Sequence, residues 1–502
     1  MIPRLMLADG DLSSIQEARD LIRRSAVAQQ IWRRADQTQV DRVCEAIVGA
    51  IRGKAAALGR IAFDETGFGD PPSKTRKNLF AAEAVWESIR DLKTVGVTKR
   101  DDEKRVYEIA EPYGVVLGIV PVTNPTSTAI FKILIAVKTR NSIVLSPHPR
   151  AVRCIGESAR VASEAAARAG APADLILCLS KPTLQATEEA MKRRETALIL
   201  ATGGPGLVKA AYSSGKPAIG VGPGNAPCYV EGTADVEQAA EAIVQSQVFD
   251  NGTLCCSEQA IVVDAKVKAA LVAGMKARDA WFCSAEERTK LGALVVKGRA
   301  LNPAIVGLYP WQIAEMAGFA VPRATTVLVS EETGVGWDHP LSIEKLSPIL
   351  ALYTVKDWKE GCERCIEILD FGGRGHTLTI HSRNEAIVWE FALEKPTHRI
   401  LVNTPASHGA VGLSTWLDPS LTLGCGAFGG NITSDNITAK HLLLTKRLAF
   451  GKPGFVEEEA RRRKSRDEVD VAPLAKRPAP PSFHGSSAAF KMREWPTPPR
   501  KR

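Results

Sequence analysis

At 502 residues the chain is long enough for two or three domains, and 45% hydrophobic with 24% charged residues describes an ordinary globular protein. A net charge of +9 raises the question of nucleic acid, but +5 of it comes from residues 455–502, where 12 Lys or Arg face 7 Asp or Glu. The remaining body is nearly balanced and carries neither zinc-finger spacing nor an RNA-binding aromatic signature, so nucleic acid is not an expected partner. The longest apolar run, "YGVVLGIVPV", stops at "TNPTS", well short of a membrane span, and the N-terminal apolar patch is too short for a signal core. Ten cysteines without a secretory signal point to free thiols in a reducing compartment, hence a cytoplasmic protein. No His or Cys cluster has ligand spacing, so no metal is expected.

In chain order, residues 12–59 show helical apolar spacing, and "VGVTKRDDEKRVYEIAEPYG" alternates like a projecting β-ribbon. From Tyr113 the pattern becomes regular: "GVVLGIVPV", "SIVLS", "DLILCLS", "ETALILAT" and "PAIGVG" read as buried strands separated by helices. Five such strands predict a parallel sheet covered on both faces, with ligands at its carboxyl ends. A second α/β region starts near Ala226, with strands at "AIVVD", "TTVLVS", "SPILALYTV", "HTLTIHS" and "RILVNTPAS". "CERC", residues 362–365, falls in a helical pattern and reads as two residues on one helix face. The Pro-rich basic tail, 455–502, reads as disordered.

Two strand ends carry special loops. "ATGGPG" puts Thr202, Gly203, Gly204 and Gly206 at a strand-to-helix junction, where bare backbone and a helix N-terminus suit a diphosphate; a plain turn is the alternative. "VGPGNAP" supplies Gly222 and Gly224 at the passage into the second region. Thr123 and Asn124 end the first strand, and the Asn124 amide either donates to a developing oxyanion or caps the next helix. His376 follows a glycine turn and is either a proton relay or a structural histidine. Glu344, before "SPILALY", reads by default as a surface carboxylate.

"VFDNGTLCCSEQAIVVD" places Cys255 beside Cys256 after an Asn-Gly turn. Adjacent cysteines make a poor disulfide, because bridging them distorts the peptide between. They are therefore buried filler, or a nucleophile and a bystander.

Together, "EPYGVVLGIVPVTNPTSTAIFK", "KTRNSIVLSPHPRA", "LILATGGPGLVKAAYSSGKPAIGVGPGN", "FDNGTLCCSEQ", "EKLSPILALY", "GGRGHT", "RILVNTPAS" and "LTLGCGAFGGN" resemble the aldehyde dehydrogenase superfamily, and within it the CoA-acylating branch, over residues 12–446. The resemblance implies an α/β fold with a doubly wound cofactor domain (1–94 and 113–225), a smaller α/β catalytic domain (226–412) and a β-ribbon oligomerisation arm (95–112 with 413–446). It puts the nucleophile on Cys255, with its backbone N–H and a side-chain amide, from Asn124 or Thr123's position, holding the oxyanion. It assigns Ser146, Pro147 and His148 to the cofactor, Ser146 standing where hydrolytic relatives carry Lys. Glu344 matches the carboxylate on the nicotinamide ribose, and His376 a branch-specific histidine tied to CoA transfer. Hydrolytic relatives also carry a Glu that activates water; here that position is Val221.

The implied reaction converts a short aldehyde, NAD (NADP being open) and CoA reversibly to acyl-CoA and NADH through a cysteine thioester. Acetaldehyde, propionaldehyde and the anionic sulfoacetaldehyde are the candidate substrates. The alternatives are a hydrolytic NAD(P)-dependent enzyme giving free acid, and a member housed in a bacterial microcompartment lumen whose tail docks to a shell or partner enzyme, "SSAAFKMREW" being the candidate docking helix. A homodimer or homotetramer is implied. His408 and Trp416 are candidates for the aldehyde entrance, with packing as the other reading.

Overall fold

The computed structural model describes residues 10–467. Two long helices open it, α1 (Gly10–Trp32) and α2 (Gln37–Thr66). In α2 an apolar stripe at helical spacing, Val40, Val43, Ile47, Ile51, Leu58 and Ala62, is buried, Asp36 caps the start and Gly67, at φ 71°, closes the end. A third helix, α3 (Pro71–Leu79), starts at Asp70, whose carboxylate accepts the Ser73 N–H.

The first sheet is made of β3 (Val115–Val120), β4 (Ser142–Pro147), β5 (Ile176–Cys178), β6 (Thr196–Thr202) and β7 (Ala218–Val221); the ribbon strands β1 (Val97–Asp101) and β2 (Val106–Pro112) precede it. Its order is β5-β4-β3-β6-β7, all parallel. Both faces are covered because β3 is apolar at every position. Val115, Leu117 and Ile119 pack toward α1, whereas Val116 and Val120 face α2 and the helix Pro125–Lys138. The chain leaves β3 for β4 on one side and returns to β6 on the other, so the crevice at the carboxyl ends of β3 and β6 is the switch point where ligands bind in such sheets.

The second sheet uses β8 (Ala226–Val230), β9 (Glu258–Asp264), β10 (Ala280–Phe282), β13 (Val327–Glu331), β14 (Ile349–Val355), β15 (Gly375–His381) and β16 (Thr397–Val402); a hairpin of β11 (Val296–Lys297) and β12 (Ala300–Leu301) interrupts it. Its order is β10-β13-β14-β9-β8-β15-β16, again parallel. The segments entering β9, β14 and β15 meet the carboxyl ends of the first sheet. In the helix Trp358–Phe371, Cys362 and Cys365 are both buried, as two residues of one core-facing side.

The ribbon β1–β2 is antiparallel and gains a third strand, β17 (Leu443–Ala449), where regular patterning had faded in the sequence. Lys446 and Arg447 on β17 pair with Glu111 and Glu108. Residues 449–502 form a separate unit. Over its described residues the expectation of disorder is corrected: Phe455–Asp467 is a helix. Glutamates fill its first turn, favouring the N-terminal dipole, and Arg462 pairs with Glu458 and Glu459. The candidate docking helix at 486–495 lies outside the described residues. Among those described, no helix is long and apolar enough to cross a membrane.

Candidate active site

A cavity of about 750 Å³ fills the crevice. Its first-sheet wall comes from the ends of β3 (Thr123, Asn124), β4 (Ser146, Pro147, His148), β6 (Thr202, Gly203, Gly204) and β7 (Val221, Gly222). The opposite wall carries Cys255, Cys256, Glu344 and His376. Of the fourteen residues selected from sequence for catalysis or cofactor binding, only Gly206 and Gly224 stand outside this wall. Gly206 is exposed in the first turn of the helix Pro205–Tyr212. Gly224 is a spacer: a Cβ there would lie 2.3 Å from the Cys255 carbonyl oxygen and 3.0 Å from the His376 ring.

The loop that presents Cys255 is unusual. Asp250, Asn251 and Gly252 take three consecutive left-handed conformations, at φ 53°, 51° and 66°, which Asp, Asn and Gly tolerate best. Side-chain partners lock the first two. Asn251 Nδ2 donates to the Gly307 carbonyl at 3.0 Å. The wholly buried Asp250 carboxylate accepts from Lys74 Nζ (3.1 Å), Lys77 Nζ, the Asp70 N–H (3.0 Å) and Thr253 Oγ1 (2.8 Å). Two cations and two further donors hold Asp250 below the usual carboxylate range despite its burial.

Beyond the turn, Cys255 is half-buried. Burial, then Cys256, Glu344 and Cys425, push its thiol well up, and Arg399 pulls the other way. Cys256 is buried, with its sulfur 3.9 Å from the Ser407 carbonyl and packed with Phe249, Leu254 and Leu401.

Asn124 makes no side-chain cap to the helix that follows, so capping is not its role. Instead its Oδ1 accepts from Lys77 Nζ at 2.5 Å, and its Nδ2 faces the Thr253 carbonyl (3.3 Å) and Thr123 Oγ1 (3.2 Å). This points the donor end of the amide at the loop that carries Cys255.

His376 is buried, with Nδ1 2.9 Å from Thr377 Oγ1 and Nε2 without a protein partner. Burial and the Arg399 charge lower it to about 3, so the ring is neutral. Arg399 itself spans the His376 carbonyl (2.9 Å) and the Asn436 side chain (2.6 Å), tying β15 to the 424–436 segment. Glu344 is not a surface carboxylate: it accepts the Gly224 N–H at 3.1 Å and burial raises it to about 8.

The shape fits a nicotinamide dinucleotide. Gly204 and Gly222 have open space where a Cβ would stand, leaving bare backbone beside the cavity for a diphosphate. Pro147, Pro149, Pro182 and Leu184 offer flat apolar walls, and Glu344 a carboxylate for ribose hydroxyls.

Lys74, Lys77, Asp250 and Arg399 were not picked out from the sequence. Their signal there is weak: "SKTRK" reads as an exposed basic turn, and only burial reveals the network. His408 and Trp416 do not line the cavity. His408 is buried against Phe249, ring centroids 4.6 Å apart, and Trp416 is fully exposed.

The model of the aldehyde dehydrogenase family matches residues 6–302. The chain belongs to that family. The bifunctional aldehyde-alcohol dehydrogenase of Escherichia coli is 43% identical over 443 residues, which are 87% of this chain and 50% of that protein. This chain thus spans about half the length of the first curated relatives it matches. An acetylating aldehyde dehydrogenase from Geobacillus thermoglucosidasius superposes with a TM-score of 0.88 at 52% identity, over 89% of this chain and 99% of that one. A propionaldehyde dehydrogenase from Rhodopseudomonas palustris with bound propionyl-CoA superposes with a TM-score of 0.79 at 27% identity, over 86% of this chain and 94% of that one. Within the aldehyde dehydrogenase family these relatives place the chain beside acylating members.

Proposed function

We propose that this aldehyde dehydrogenase oxidises a short, uncharged aldehyde with NAD and CoA to acyl-CoA and NADH, reversibly, through a thioester on Cys255. The observation that carries the reading is the make-up of the cavity wall. A nucleophilic sulfur stands there with an amide donor and a neutral imidazole, and the strand end β7 offers Val221 where a water-activating carboxylate would stand.

The steps follow from the residues. Once deprotonated, Cys255 Sγ attacks the aldehyde carbon; a C–S bond forms and the carbonyl oxygen becomes an alkoxide. Asn124 Nδ2 and the Cys255 N–H hold that oxygen, a type of contact whose removal costs about 10²–10³ in rate. A bound nicotinamide supplies the hydride acceptor. Collapse of the alkoxide leaves an acyl group on Cys255. Val221 has no lone pair to take a proton from water, so hydrolysis goes unassisted. The thiol of CoA ionises more readily and gives its proton to solvent; the thiolate attacks the acyl carbon and releases Cys255 as a thiolate, with the partnerless Nε2 of His376 at the cavity wall to orient the incoming sulfur. One thioester replaces another, which keeps the reaction reversible.

The cavity wall contains no Lys or Arg, and an anionic aldehyde such as sulfoacetaldehyde would meet the apolar Leu254, Val411, Leu421 and Leu423 there, which favours a neutral aldehyde. The three-stranded sheet of β1, β2 and β17 is the proposed oligomerisation arm of a homodimer or homotetramer.

The test is NADH formation over a panel of neutral and anionic aldehydes, with and without CoA, on the parent and Cys255→Ala. Sustained CoA-dependent turnover of acetaldehyde or propionaldehyde, lost in the variant, is expected. Brisk carboxylate formation without CoA would replace this reading with a hydrolytic one.

A further inference from the structure

The cluster behind the Cys255 loop puts two buried lysines on one buried carboxylate. Lys74 and Lys77 are 1% and 3% exposed and both reach Asp250, which is wholly buried. Lys74 alone would balance that carboxylate, and the Asp70 N–H and Thr253 hydroxyl complete its hydrogen bonding. Lys77 is a second buried cation on Asp250, with the Asp70 carboxylate also acting on it, and burial lowers it to about 8. What Lys77 adds, and Lys74 does not, is the 2.5 Å bond to Asn124 Oδ1.

Resting on the reading of Asn124 as the oxyanion donor, we infer that Lys77 is a positioning residue for the acylation step: its ammonium seizes the amide oxygen of Asn124 and thereby fixes and polarises the amide N–H group that meets the alkoxide. An amide can flip by exchanging its O and N ends, and a neutral partner would tolerate either. An ammonium has only donors, so it permits one orientation, with Nδ2 on the Thr253 and Thr123 side. A cation on the oxygen also draws charge from the amide nitrogen and strengthens its N–H as a donor. The substrate never touches Lys77, which lines no part of the cavity.

The experiment uses the full chain saturated with NAD, CoA withheld, and reads the burst of NADH that accompanies acylation of Cys255 by acetaldehyde. Lys77→Met removes the cation and leaves Lys74 and Asp250 charge-balanced. The burst rate should fall about tenfold with its aldehyde concentration dependence unchanged, while Asn124→Ala falls about 10². The double variant should be no slower than Asn124→Ala alone, because Lys77 acts through that amide. Alkylation of Cys255 by iodoacetamide, followed by peptide mass spectrometry, forms no oxyanion and should keep its parental rate in Lys77→Met.

Equal slowing of alkylation and burst would overturn the inference, since Lys77 would then act on the loop through Asp250. Full additivity in the double variant would also overturn it. If Asn124→Ala leaves the burst intact, the oxyanion reading itself fails; if Asn124→Ala is slow and Lys77→Met is not, only the role of Lys77 falls. Lys77→Gln, which keeps an N–H donor without the charge, serves if the Met variant does not fold, and should fall between parent and Asn124→Ala. Unfolding of both variants would make Lys77 a structural residue and end the proposal.

Discussion

Cys256 turns its sulfur toward the Ser407 carbonyl, 3.9 Å away in the core, while Cys255, its chain neighbour, stays half-buried at the cavity wall. One peptide bond separates a packed side chain from a reachable one. The double cysteine thus sits in the turn before β9, which sends one side chain to the core and the other to the cavity. Cys255→Ala should abolish NADH formation. Cys256→Ala should keep most of it and lower unfolding free energy by about 1 kcal/mol through the lost sulfur contacts. Steady-state assays and denaturant melts of both variants check this; activity surviving in Cys255→Ala alone would reverse the assignment.

Glu344 sets a second expectation. Burial raises it to about 8, so the carboxyl is protonated in the neutral range and ionises as pH passes through about 8. The ionised form accepts ribose hydroxyls more strongly and suits a nicotinamide cation, so cofactor binding favours loss of that proton. The apparent KM for NAD should therefore fall as pH rises through about 8, and the break should vanish in Glu344→Gln. Stability moves oppositely. A folded pKa above the ordinary 4.5 makes folding less favourable as pH climbs from there toward about 8, where the effect levels off, and the parent should lose melting temperature over that window relative to Glu344→Gln.

Much of this was legible beforehand because strand and loop chemistry is local. The apolar runs at Val115–Val120 and Ser142–Pro147 could be little but buried parallel strands, and glycine-rich turns at their ends could be read as a ligand crevice. The choice between the two readings of Asn124, and the part of Lys77 in it, was not legible, because it depends on a contact between residues 47 apart. Nothing near "TNPTS" reveals that a lysine will seize the amide and prevent it from capping. Likewise "FDNG" announces a turn, but not that Asp250 will meet two lysines from α3 across some 170 residues. His408 sat in a suggestive stretch, yet its ring was claimed by Phe249.

Gly224 offers a steric test of the site. Its missing Cβ leaves room for the Cys255 carbonyl and the His376 ring, and a methyl there would meet them at 2.3 Å and 3.0 Å. The first is backbone and yields only if the nucleophile loop moves. Gly224→Ala should cost about 1–3 kcal/mol of stability from overpacking. Its effect on turnover should be larger, about 10², because displacing reacting groups by an ångström has that consequence. Thermal melts with kcat for CoA-dependent acetaldehyde oxidation measure both; a variant with parental kcat would show that the loop can shift without harm.

The final prediction converts one reaction into another. Val221 is 4% exposed, ends β7 beside Thr202, and stands three residues before the glycine that touches the Cys255 carbonyl. If acyl transfer to CoA prevails because no group there takes a proton from water, supplying one should open a hydrolytic route. Val221→Glu places a carboxyl at that strand end, in an apolar neighbourhood that raises its pKa toward neutrality, where a general base works best. The exchange should cost about 2–3 kcal/mol of stability. With CoA absent, NADH formation in the parent should stop after one equivalent per site. In Val221→Glu it should continue at least about tenfold above that background, a modest gain for an unrefined general base, with carboxylate appearing in equal amount. A folded Val221→Glu protein that still stalls after one equivalent would mean that water is kept from the thioester by exclusion, and not by the want of a base.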